Sequence, residues 1–204
     1  MLRYVVIVSF IFTCTLLISL ILRTFSFGKK KLYAVPQGDW KHGVAYAFGR
    51  GMTPWEKESA QKHLPTYFAG LIYHAGIFSG LFLLSSSIIA VPLSRLCLIF
   101  LQAFLALGIG CGFGLFIKRS VVGYMRWISC PDDFAANLLV DVFLGMALLY
   151  TFVPGLLAIF YSAAIVLFLY LPFGKIRHCL FFFYSRFLFG RFFGRRGAFF
   201  KKQT

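Results

Sequence analysis

Only four histidines occur in this 204-residue chain, His42, His63, His74 and His178, and two of them stand where a water-soluble fold has no use for them. His74 lies ten residues after Leu64 in an unbroken apolar stretch. At ~1.5 Å per residue that is ~15 Å along a helix, near mid-membrane. Ionisable side chains at such depth are costly and are by default functional candidates. Neutral imidazole is a good axial ligand for haem iron, and two histidines on different helices are a recurrent way of holding a b-type haem in a bundle. His178, toward the inner end of the last apolar stretch, is the natural partner. The haem is then expected in the inner half of the membrane, with its propionates near Lys175, Arg177 or Arg186. Gly70 and Gly76 beside His74 would let a porphyrin approach the backbone. The rival account is a membrane histidine that hydrogen-bonds a neighbouring helix.

His63 falls eleven residues before His74, and at ~100° per residue it shares nearly the same helical face three turns away. A second haem would need a further ligand, for which only His42 remains; otherwise His63 is an interface residue. Asp141 is the one acid inside an apolar span, with Asn137 four residues earlier on the same face. It could serve a proton path or hydrogen-bond a quinone, or pair helices structurally. No nucleophile constellation and no glycine-rich phosphate loop accompanies these residues.

The elements that must position them are membrane helices. Hydrophobic residues make up 60% and aromatics 20% of the chain, and the mean hydropathy is +0.82, far above an ordinary soluble domain. Several apolar runs reach the ~20 residues that a helix needs to cross a ~30 Å hydrocarbon core. The spans expected are 4–21, 64–84, 96–117, 134–153 and 156–173, the last running on as far as 184. The first run is longer than a signal peptide's apolar core, has no small-residue cleavage site after it, and is read as an anchor. Continuous rather than alternating apolar runs exclude a β-barrel, because backbone polar groups in lipid must then be satisfied by helices. The fold class is an all-α membrane protein, a five-transmembrane-helix bundle forming a single domain over 1–204.

The net charge of +15 is unevenly placed. Basic residues crowd the loop 23–63 and the tail 185–204, and Lys118, Arg119 and Arg126 add to the same side; Arg3 and Arg95 stand on the other. The positive-inside rule then puts the N-terminus outside and the C-terminus in the cytoplasm. Such a surface suits anionic lipid and gives no reason to invoke nucleic acid. Of the five cysteines, four fall in apolar spans and only Cys130 in a loop, with no CxxC pair, which argues for buried thiols over a metal framework. A short helix is expected at 54–63, with Thr53 capping it and Glu56 completing a capping box. Pro131, Asp132 and Asp133 suit a helix N-terminus, and Pro154-Gly155 a tight outer turn. The tail alternates Phe and Arg, as an interfacial helix or a segment docked on a partner would.

The stretch Tyr73-His74-Ala75-Gly76-Ile77-Phe78 and the later Pro172-Phe173-Gly174-Lys175-Ile176-Arg177-His178 resemble the two haem-bearing helices of the respiratory nitrate reductase gamma subunit. The likeness is closer to the related cytochrome b subunits of the sulfite-reduction-associated DsrM type and the heterodisulfide reductase HdrE type. Gly51-Met52-Thr53-Pro54-Trp55 and Pro131-Asp132-Asp133-Phe134 read the same way. The resemblance implies a membrane cytochrome b at the cell inner membrane, exchanging electrons between quinone or menaquinone and a cytoplasmic iron–sulfur subunit of heterodisulfide-reductase-like or nitrate-reductase-beta-like kind. It implies that His74 and His178 ligate one and the same heme b. At the outer-haem positions this chain has Leu84 and Phe160, neither able to bind iron, so the resemblance implies one haem and leaves the quinone site unlocated. The rivals are a haem-free anchor that docks a cytoplasmic redox protein and a small transporter using Asp141.

Overall fold

The computed structural model describes residues 1–27 and 34–199. Nine α-helices run in order through them: α1 Leu2–Ser26, α2 Trp40–Phe48, α3 Glu58–Lys62, α4 Leu64–Ile89, α5 Arg95–Val121, α6 Gly123–Trp127, α7 Pro131–Phe152, α8 Leu157–Tyr170 and α9 His178–Arg195. No strand occurs among the described residues. Helices α1, α4, α5 and α7 are long and apolar enough to cross a membrane, and the broken pair α8 and α9 raises the number to at most five. The chain is thus a multi-pass membrane protein by length and composition of its helices. The basic residues Lys29, Lys30, Lys31, Lys201 and Lys202, counted in the charge pattern, lie outside the described residues.

The chain divides into two compact units. The first comprises Met1–Leu16 and Pro65–Ile176. Its core joins Val6 of α1, Leu83 and Leu84 of α4, Leu101 and Leu105 of α5, Phe143, Leu144 and Ala147 of α7, and Phe160, Ala164 and Phe168 of α8. Lipid tails are as apolar as leucine, so close packing rather than escape from water must hold these helices together. Glycine provides the closeness: a Cβ on Gly76 would stand 2.8 Å from the Gly108 Cα, and one on Gly80 would stand 2.9 Å from the Phe143 ring. Gly76 is therefore used up in the α4–α5 crossing and offers no room to a porphyrin, contrary to expectation. Inside the core, the Phe160 ring stacks on Phe143 at 5.6 Å and on Tyr150 at 5.4 Å.

The helix ends have local causes. Helix α4 stops where Ala90 takes a φ of 61° and the Val91 N–H returns to the Ser86 carbonyl at 3.0 Å, a left-handed cap followed by Pro92. Pro131 starts α7, and Asp133 accepts from the Cys130 N–H at 2.9 Å, as the sequence predicts. The last span does not run continuously from 156 to 184: α8 ends at Tyr170 and α9 begins at His178. Pro172, which lacks an N–H, and Gly174 interrupt the ladder. Asp132 holds this turn by accepting from the Lys175 N–H at 2.9 Å and from the Tyr170 hydroxyl.

The second unit comprises residues 17–64 and 177–204, of which 17–27, 34–64 and 177–199 are described. Its centre is the crossing of α2 and α9. A Cβ on Gly194 would come 2.6 Å from the Gly43 Cα, and one on Gly190 would come 2.6 Å from the Val44 Cα. The Gln37 and Gly38 N–H groups both donate to the Arg195 carbonyl, at 2.9 and 3.1 Å. The expected capping box at Thr53 and Glu56 is not formed. Pro54–Glu56 is a single 3-10 turn, the Thr53 hydroxyl donates back to the Arg50 carbonyl at 2.7 Å, and Glu56 accepts from Tyr46 instead.

Candidate functional site

His74 sits in the third turn of α4, with its side chain exposed on the outer face of the first unit. Its Nδ1 lies 2.7 Å from the carbonyl oxygen of Gly70, one turn earlier. A carbonyl can only accept, so Nδ1 carries a ring proton, and in the neutral imidazole the lone pair is on Nε2. That is the tautomer metal ligation requires, with a backbone bond fixing the ring as an orienting partner would. A Cβ placed on Gly70 meets nothing within 4 Å. The backbone at Gly70, one turn before the imidazole, therefore carries no side chain and has space beside it.

Tyr73, the preceding residue, is rotated into the bundle, its ring centroid 6.4 Å from that of His74. There it joins a polar node among apolar side chains. Asn137 of α7 donates through Nδ2 toward the Tyr73 hydroxyl at 3.2 Å, the Gly112 carbonyl of α5 at 3.3 Å and Oδ2 of Asp141 at 2.8 Å. The Tyr73 hydroxyl donates to the Asn137 carbonyl at 3.3 Å. Oδ1 of Asp141 is sealed from solvent and has no hydrogen-bond partner. The pairing of Asn137 with Asp141 is legible from their i, i+4 spacing. Tyr73 and Gly112 are not, and their signal is a hydroxyl and a small residue at interior positions of apolar spans.

The other residues fall as follows. His178 is the first residue of α9 and is exposed; it belongs to the second unit, whereas His74 belongs to the first. Arg177 precedes it at the N-cap position. Lys175, a candidate for a propionate, is engaged by Asp133, with Nζ 2.6 Å from Oδ2, and Arg119 holds the other oxygen of Asp133 at 3.1 Å. The Arg186 guanidinium lies over the rings of Phe182 and Phe189 at 5.6 and 6.0 Å. Burial, and to a lesser degree the nearby Arg186 charge, lowers the Lys57 ammonium from its ordinary value. His63 ends α3 with φ −134° and lies outside α4. The helical-phase relation drawn between it and His74 therefore does not hold. His42 is exposed, with Nδ1 3.2 Å from Asp39.

Phe160 and Leu84, the residues in the outer-haem positions of the resembled family, are 0% and 3% exposed and fill the core of the first unit. Among the described residues no three His, Cys, Asp or Glu side chains gather as a metal cluster. A haem would need only two protein ligands, and at His74 the chain offers one imidazole with space at the Gly70 backbone. Compared with known proteins, the chain matches no family model, and neither a curated protein nor a solved structure shows significant similarity to it.

Proposed function

We propose that this protein is a b-type cytochrome subunit of a membrane oxidoreductase, in which His74 and His178 hold one haem and electrons pass between an isoprenoid quinone pool and a cytoplasmic iron–sulfur subunit. The observation that carries the reading is the bond from His74 Nδ1–H to the Gly70 carbonyl. It fixes the imidazole ring on an apolar helix through Nδ1, so that in the neutral ring Nε2 is the nitrogen able to ligate a metal, beside a stretch of helix that lacks a side chain at Gly70. Haem, when bound, supplies a one-electron iron couple; everything else is the work of this chain. His178 contributes the second imidazole from the start of α9. Asp132 and Asp133 hold the end of the first unit at 170–175 through the Lys175 N–H and ammonium. Arg177 and Arg186 are the cations suited to the propionates, because among the described residues neither is drawn into an ion pair, whereas Lys175 is. The charge pattern supports an outer N-terminus and a cytoplasmic C-terminus, which would put the basic loop and tail on the side of the iron–sulfur partner.

The test is reduction by quinol. Purified protein in proteoliposomes, given a soluble menaquinol analogue, is expected to develop the α-band of a reduced b-type haem. A coloured protein that dithionite reduces and quinol does not would remove quinone from the proposal. A folded protein without colour would leave the haem-free anchor.

A further inference from the structure

Among the described residues Asp141 is the one carboxyl group near the middle of a membrane-spanning helix, half-buried in the bundle, and electron transfer alone gives it no task. It lies ten residues into the 22-residue α7, about 15 Å from the start of that helix and so close to the middle of the span. If its role were to glue helices, an amide would do better, since both polar atoms could then be matched. Instead Oδ2 accepts from Asn137 at 2.8 Å, the Tyr73 hydroxyl also interacts with the carboxyl group, and Oδ1 is buried without a bond of its own. Gly112 makes room for this oxygen, since a Cβ there would overlap the carboxyl group. The groups that face Asp141 are the Tyr73 hydroxyl and ring from α4, the Gly112 backbone from α5 and Asn137 on its own helix. Helix α8, also packed on α7, carries no charged residue, and of its two tyrosines Tyr170 is bonded to Asp132 and Tyr161 packs in the aromatic core. No fixed cation in this set holds the carboxylate as an anion.

In a low dielectric a nearby change of charge shifts the proton affinity of a carboxyl group strongly, and no fixed cation here opposes that shift. The variable charge here is that of the His74 site, linked to Asp141 through Tyr73, whose ring is 6.4 Å from the imidazole, and then through Asn137. We propose that Asp141 is a proton acceptor built into the membrane interior, taking up one proton for each electron that the His74 site receives. The inference rests on the proposed function for the electron and on the α4–α5–α7 node for the proton. A quinol gives up two electrons and two protons in successive one-electron steps. As each electron arrives, the Asp141 carboxylate binds one proton from the aqueous phase, and it returns that proton when the electron leaves for the iron–sulfur partner. The added negative and positive charges cancel.

Potentiometric titration of the purified holoprotein between about pH 6 and pH 9 tests this. Over the range where Asp141 titrates, the wild-type midpoint potential is expected to fall with rising pH. The limit is the conversion of a tenfold change in proton activity, about 59 mV per pH unit for a one-electron couple. Asp141→Asn should flatten the slope with haem occupancy kept, and Asp141→Glu, which retains a carboxyl group, should preserve it. Redox-difference infrared spectra should show a carboxylic acid C=O band appearing on reduction in wild type and missing from Asp141→Asn. An unchanged slope in Asp141→Asn, or a flat one in both wild type and Asp141→Glu, overturns the proposal while the cytochrome reading survives. Wild-type protein that holds no haem overturns both, and is seen before any titration begins.

Discussion

Replacing Phe160 by alanine removes the central ring of the first unit's core and shows what holds a membrane bundle together. The side chain is 0% exposed and stacks between Phe143 and Tyr150. In water the loss would include a large transfer term, but here the unfolded reference is lipid, as apolar as the core, so that term largely vanishes. What remains is the cavity: roughly 100 Å³ of lost volume at about 24 cal/mol per Å³ gives about 2.4 kcal/mol. Two lost ring contacts at about 0.5–1.5 kcal/mol each overlap partly with that figure. The expected cost is about 3 kcal/mol, or roughly a 100-fold fall in the folded-to-unfolded ratio. Reversible unfolding in mixed micelles titrated with sodium dodecyl sulfate, followed by circular dichroism, measures it. Phe78→Ala, at a side chain 66% exposed, is the control and should cost less than about 0.5 kcal/mol. If the two variants lie within about 0.5 kcal/mol of each other, the packing argument is wrong.

Gly43→Leu and Gly194→Leu should each separate α2 from α9, at a cost of about 1–3 kcal/mol or more, seen as faster proteolysis after the basic residues of the second unit. Ala90→Gly should stabilise the first unit by about 1 kcal/mol, because glycine adopts the φ of 61° without strain; the same unfolding titration reads it. Glu56 is held below its ordinary value of 4.5, first by the Tyr46 hydroxyl and then by Arg50. A depressed carboxyl pKa stabilises above the unfolded value and is lost as pH falls through the folded one. Amide exchange over 50–57, corrected for its intrinsic pH dependence, should therefore quicken below about pH 4 in wild type. In Glu56→Gln it should be fast at every pH.

Much of the fold is legible in the residues. Apolar runs longer than the bilayer mark α1, α4, α5 and α7, because length and hydropathy are local properties. The break after Tyr170 also has a local sign, Pro172 followed by Gly174, yet the apolar run crosses it, and hydropathy alone reads one long span. Division into two units is not legible, since it depends on which glycines meet. The spacing Gly190-x-x-x-Gly194 announces a close helix crossing, but nothing nearby names Gly43 as the surface it meets. Gly76 shows the same limit: it stands beside His74 in the sequence and turns to Gly108 in the bundle. At the candidate site, His74 stands out because an imidazole is costly in an apolar helix. Its tautomer does not, because that depends on reach to the Gly70 carbonyl. Phe160 and Leu84 read from the sequence only as residues unable to ligate iron; the structure adds that they are core.

The most direct test of the central claim is the dithionite-reduced minus oxidised visible spectrum, with pyridine haemochrome quantification, of wild type, His74→Ala, His178→Ala and His63→Ala purified side by side. The account predicts about one b-type haem per chain in wild type, retained in His63→Ala and lost in both His74→Ala and His178→Ala while each variant remains folded. A haem that persists without either of those two histidines, or a well-folded wild type without haem, would contradict it.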